Sequence, residues 1–144
     1  MKKLTLLSVT HFCVDMACAA LFFGRLRLDA GWWLWMVLYN ACAFALQLPL
    51  GLLADRLNRN LPFAAVGCVL VAMSFLPTGS PLLAAVLCGI GNGMFHVGVG
   101  LEVLNESDRA APLGVFVSPG GVGCIWARRA GPCSFAAAGP CPCS

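Results

Sequence analysis

Histidine and aspartate stand four positions apart, as His11 and Asp15, in the otherwise apolar stretch HFCVDMACAALFFG. On a helix that spacing puts both side chains on one face. An imidazole beside a carboxylate can hold a proton or release it. In hydrocarbon a charged group costs at least ~2.5 kcal/mol, so such groups face a protein interior or a watery cavity. A second pair with the same spacing, Asn92 and His96, lies in LCGIGNGMFHVGVG. A third polar side is formed by Asn40 and Gln47, which share a helical face with Phe44 and Gly51.

The elements that carry these residues follow from composition. Of 144 residues, 60% are hydrophobic and 10% charged, and mean hydropathy is +0.85, whereas an ordinary globular domain has about 25% charged residues. The solvent of this chain is a lipid bilayer. A net charge of +3, scattered over separate pairs of Lys and Arg, is too small for a nucleic-acid surface. Spans need about 20 apolar residues each. The apolar runs predict helices at 4–23, 32–53, 61–76 and 82–104, with a truncated fifth at 112–123. Charges and turn formers separate them in GRLRLDAG, ADRLNRN and PTGSP. The runs are rich in Leu and Ala and lack period-two alternation, which disfavours strands. The expected fold is an all-α transmembrane bundle of about four full helices and part of a fifth, over residues 1–122. A secretory signal is the alternative for the first run, because Lys2 and Lys3 precede an apolar core; Asp15 interrupts that core.

Lys and Arg are enriched in cytoplasmic loops. Placing the N-terminus inside puts Lys2, Lys3, Arg56, Arg59 and Arg109 on the cytoplasmic side, against Arg25 and Arg27 outside. The expected location is the inner (plasma) membrane, multi-pass. Trp32, Trp33 and Trp35 then fall at the outer start of the second helix, where indoles favour the headgroup layer; simple packing is the other account of them. At 1.5 Å per residue, His11 is roughly 10 Å from the cytoplasmic edge and Asp15 is near the midplane. Counted back along the oppositely directed fourth helix, His96 has about the depth of His11, and Asn92 that of Asp15. A polar seam between the first and fourth helices is expected. Gly89, Gly93 and Gly100 share a stripe with His96 and would let backbones approach closely. That stripe is equally read as a packing face with one satisfied histidine.

The loop GLLADRLNRN, Gly51 to Asn60, carries the most specific pattern: glycine, then Asp four positions on, then a basic residue, with further basic residues closing it. It resembles the cytoplasmic segment between the second and third helices of the major facilitator superfamily, on Gly51, Asp55, Arg56 and Arg59. The pattern's second glycine is Asn58 here, a residue type that tolerates left-handed backbone angles, and its last basic position is Asn60. Gly51 is expected to allow close helix packing, and Asp55 to accept bonds from arginines and a neighbouring helix N-terminus, fastening one conformation. HFCVDMACAALFF and GIGNGMFHVGVG resemble the first- and fourth-helix segments of the fosmidomycin-resistance-like branch. GVFVSPGG, Gly114 to Gly121, is loosely similar to a proline-glycine motif in helix five of antiporters. The resemblance covers about residues 4–122. It implies a secondary transporter, a proton-coupled exporter of small molecules whose first and fourth helices line the cavity.

Members of that superfamily have twelve helices, so the chain reads as an N-terminal piece. From residue 123 to 144 Ala, Gly, Pro, Cys, Arg and Ser dominate, a mixture expected of a GC-rich frame translated out of phase. A frameshift near Gly123 is the expectation, and a genuine short tail the alternative. Cys13, Cys18, Cys42, Cys68 and Cys88 read as small hydrophobes in helices. Cys133, Cys141 and Cys143 lack paired CxxC spacing, so no metal and no cofactor is expected. No phosphate-cradling loop, HExxH or GxSxG occurs, and the chain reads as no enzyme. Two functions stay open. One is transport of a small molecule with protons in a full-length form; the other is a non-transporting membrane fragment that packs against partners.

Overall fold

The computed structural model describes residues 2–106 and 110–135, with 130–135 as backbone alone. Arg109 and residues 136–144 lie outside the described residues, as does the topological role expected of Arg109. The described chain is helical, with no strand. We label the helices α1 (Lys2–Gly24), α2 (Trp32–Asn40), α3 (Gln47–Leu57), α4 (Asn60–Met73), α5 (Pro81–Asn105) and α6 (Ala111–Phe135). Three stretches among the described residues are long and apolar enough to cross a membrane: Lys2–Leu28, Trp32–Leu57 and Pro81–Asn105.

Three boundaries differ from those expected. The second span is two helices, α2 and α3, joined by a π-helical turn at Ala41–Ala45. Pro49 in α3 has no N–H to offer the carbonyl of Ala45, and the hydrogen-bond ladder widens immediately before it. The third span is shorter than the expected 61–76. At 14 residues α4 covers about 21 Å at 1.5 Å per residue, less than the ~30 Å of a hydrocarbon core. It gives way to turns where the hydroxyl of Ser74 donates to its own helix at Val71. The last helix does not stop at 123 but runs to Phe135, past Ala127, Arg128, Arg129 and Ala130, four residues of high helix propensity.

Charged residues pin the two ends of the bundle. At one end the ammonium of Lys3 lies 2.5 Å from Glu102 and also contacts Glu106, while the Asn60 amide donates to Glu102 at 3.4 Å. This joins the starts of α1 and α4 to the end of α5. At the other end the Arg25 guanidinium donates to the carbonyls of Phe75 and Pro77, tying the end of α1 to the turn after α4. The helices therefore alternate in direction.

Close packing comes from small residues. A Cβ on Gly67 would meet the Gly91 carbonyl at 2.6 Å, and one on Gly98 would meet the Asn60 carbonyl at 2.6 Å, so α4 and α5 touch backbone to backbone. The stripe expected on the fourth helix needs correction. Gly89 and Gly93 pack not on α1 but on Tyr39, Cys42 and Ala43, whose backbone crosses α5 there, and Gly100, beyond that crossing, has open space. Gly51 likewise meets nothing within 4 Å, so it makes no close helix contact. The turn after it has Asn58 at φ 47°, left-handed as its residue type allows, and this frees Asn60 to start α4. Asp55, Arg56 and Arg59 are exposed. Among the described residues Asp55 takes no bond from an arginine or from α4, contrary to the latch expected of it: all three side chains point to solvent.

Candidate functional site

The site grows from one proline. Pro119, inside α6, has no N–H for the carbonyl of Val115 four residues back, and its ring disturbs that turn. The freed carbonyl is approached by the Ser8 hydroxyl at 3.5 Å, and the carbonyl of Phe116 by His11 Nδ1 at 2.8 Å. Both donors come from α1. Glycines then bring the helices together: a Cβ on Gly120 would meet His11 Nε2 at 2.5 Å, and one on Gly123 would meet the Phe12 carbonyl at 2.6 Å. The Phe116 ring stacks on the imidazole, with centroids 4.5 Å apart. Held between these contacts, His11 is only 1% exposed.

The hydrogen-bond inventory fixes the tautomer. A carbonyl only accepts, so Nδ1 of His11 carries the hydrogen. Its Nε2 lies 3.0 Å from Asp15 Oδ2. Nε2 completes no hydrogen bond there. The other carboxylate oxygen, Oδ1, lies 3.2 Å from His96 Nε2 on α5. The two imidazoles meet edge to face at 4.6 Å. One carboxylate thus stands between two histidines from different helices.

These placements recast the expected seam. His96 comes to Asp15, and α1 packs more extensively on α6 than on α5. Asn92, one turn before His96 on α5, bonds elsewhere: its amide donates to the Tyr39 hydroxyl at 2.9 Å, and its carbonyl oxygen is buried without a partner. Asn40 donates to Met36 and Gln47 to Ala43, each a bond within its own helical segment. His11, Asp15, Asn92, His96, Tyr39 and Asn40 all border one cavity of about 420 Å³; Gln47 does not. Most of the remaining wall is apolar, as in pockets that bind small organic molecules.

Three contributors were not read from sequence: the Phe116 carbonyl, Gly120 and Tyr39. Pro119 followed by two glycines was the available sign, since a proline inside an apolar run liberates carbonyls and glycines admit a close neighbour. Tyr39 had none, because one hydroxyl at the end of WWLWMVLYN does not reveal which helix it meets.

No family model, curated protein or solved structure matches the chain. Its class therefore rests on its own features: among the described residues, helices with no strand, and three helical stretches long and apolar enough to cross a membrane.

Proposed function

We propose that this bundle serves secondary active transport of a small molecule, by efflux with protons as the coupling ion, in a longer protein of the kind the major facilitator resemblance implies. The observation that carries the reading is the cavity of about 420 Å³ between membrane-length helices, into which Asp15 and two imidazoles converge. Ionisable groups at that depth are retained where ions or substrates pass. Apolar walls suit an organic solute, and Asn92 and Tyr39 supply orienting polar groups. The N-terminus is placed on the cytoplasmic side of the plasma membrane, with Lys2, Lys3, Arg56 and Arg59.

The test is solute-driven proton movement in proteoliposomes that hold an entrapped pH dye, screened with small amphipathic organic solutes. Wild type is expected to move protons with at least one solute, and Asp15→Asn, inserted in equal folded amount, is expected to lose that flux by about 10-fold or more, equivalent to at least ~1.4 kcal/mol of barrier. Asparagine keeps the shape and much of the hydrogen bonding without the charge. Flux that survives in Asp15→Asn removes Asp15 from the path. Folded wild type that moves nothing leaves the packing role in its place.

A further inference from the structure

We propose that His11, Asp15 and His96 form a binding site for a divalent transition metal of the zinc class. The three ligand atoms, two imidazole nitrogens and a carboxylate oxygen, all lie within 4.8 Å of one another. In a tetrahedral site with bonds of about 2.0–2.1 Å, neighbouring ligand atoms are about 3.3 Å apart. Asp15 Oδ2 stands 3.0 Å from His11 Nε2, and Asp15 Oδ1 stands 3.2 Å from His96 Nε2. Each imidazole nitrogen thus already has a carboxylate oxygen at about that length.

A second observation points to a ligand independently of the spacing. His11 is 99% removed from solvent, and its Nε2 faces the cluster with the Asp15 carboxylate 3.0 Å away but no hydrogen bond completed to it. A buried polar atom without a partner costs about 1–3 kcal/mol. Metal coordination satisfies it. The same ring gives its Nδ1–H to the Phe116 carbonyl at 2.8 Å, which is the outer contact that metal-binding histidines use to fix the tautomer and ring orientation. His96, 24% exposed, borders the cavity beside His11 and Asp15.

The donor set selects the metal. Two imidazoles and one carboxylate suit zinc and its first-row neighbours, whereas calcium and magnesium prefer all-oxygen shells. Three protein ligands leave a fourth position facing the cavity, the arrangement of zinc sites that exchange a water or a substrate. Sequence reading assigned no metal, because His96 is 81 positions from Asp15 and no short motif links them. The inference does not depend on transport: a bundle that transports nothing would hold the ion equally well.

The experiment uses the full chain in detergent, with Cys133→Ser, Cys141→Ser and Cys143→Ser so that those thiols take no metal. Co²⁺ is the spectroscopic probe and Zn²⁺ the competitor. One equivalent of Co²⁺ is expected to give the intense visible bands of a four-coordinate site, bleached by one equivalent of Zn²⁺. His96→Gln and Asp15→Asn are each expected to weaken Co²⁺ binding by about 100-fold or more, the upper end of what loss of an outer contact alone produces. X-ray absorption on the zinc-loaded wild-type site removes any dependence on how the variants fold. A nitrogen and oxygen shell at about 2.0–2.1 Å with imidazole scattering is expected. A shell of sulfur alone, or Co²⁺ affinity unchanged in both folded variants, overturns the proposal.

Discussion

Gly120 and Gly121 are adjacent in sequence and opposite in consequence. A methyl group on Gly120 would meet His11 Nε2 at 2.5 Å, while one on Gly121 would meet nothing within 4 Å. Gly120→Ala is therefore expected to destabilise the bundle by about 1–3 kcal/mol, the cost of overpacking. Gly121→Ala is expected to leave it unchanged or to stabilise it by up to ~1 kcal/mol through helix propensity. Thermal unfolding of both variants in the same detergent checks the contrast, and equal melting temperatures would show that α6 does not seat on His11. At this scale the sequence was informative about residue types and poor about partners. The spacing of His11 and Asp15 gave their common face, and the depth count brought His96 near them. Which backbone carbonyl would hold the imidazole depended on the path of α6, a contact between segments 105 positions apart. Local pattern carries no record of such a meeting.

At the scale of elements, the turn between α1 and α2 has its own electrostatics. The Asp29 carboxylate accepts from the Trp35 indole at 2.7 Å and from the Gly31 N–H at 2.8 Å. Those two donors favour the charged form and hold Asp29 below the usual carboxylate range, the indole contributing more. The sign follows from linkage. A depressed carboxylate contributes stability above its unfolded pKa, near pH 4, and loses it as pH falls through the lower folded value. Wild type is thus expected to melt above Asp29→Ala at neutral pH, and the gap is expected to close progressively below about pH 4. A gap that stays constant with pH would assign the turn's stability to shape alone. Helices were the most legible elements, because long apolar runs bounded by GRLRLDAG and PTGSP leave few other choices. The breaks within them were less so. Pro49 and Pro119 were visible, but whether a proline ends a helix, widens it or is absorbed depends on which donors reach the liberated carbonyls. In α6 Ser8 reaches the liberated carbonyl of Val115, and His11 the neighbouring carbonyl of Phe116.

At the scale of the whole molecule, the alternation of helix directions separates Asn58 from Gly79. The first lies beside the start of α4, at the end held by Lys3 and Glu102, and the second lies in the turn after Pro77, at the end held by Arg25. Single cysteines at these positions, in a version otherwise stripped of cysteine, are expected to label from opposite faces of intact membrane, residue 79 from outside. Labelling of both from one face would contradict the proposed insertion. The pairing of α1 with α6 has a further consequence, in the order of synthesis. His11 and the Phe116 carbonyl that accepts its hydrogen bond are 105 residues apart, and at 5–20 residues per second the ribosome takes roughly 5–20 s to cover that distance. With α1 spanning the bilayer as proposed and Asp15 near its centre, the charge waits through that interval without the helix that later covers it, against an insertion penalty of ~2.5–3.5 kcal/mol. Nascent chains arrested after residue 106 are therefore expected to insert α1 less completely than chains arrested after residue 135, and Asp15→Asn is expected to remove the difference. Glycosylation acceptors placed in the loop at residue 30 would measure it. Equal insertion at both lengths would mean that α1 commits to the bilayer before its partner exists.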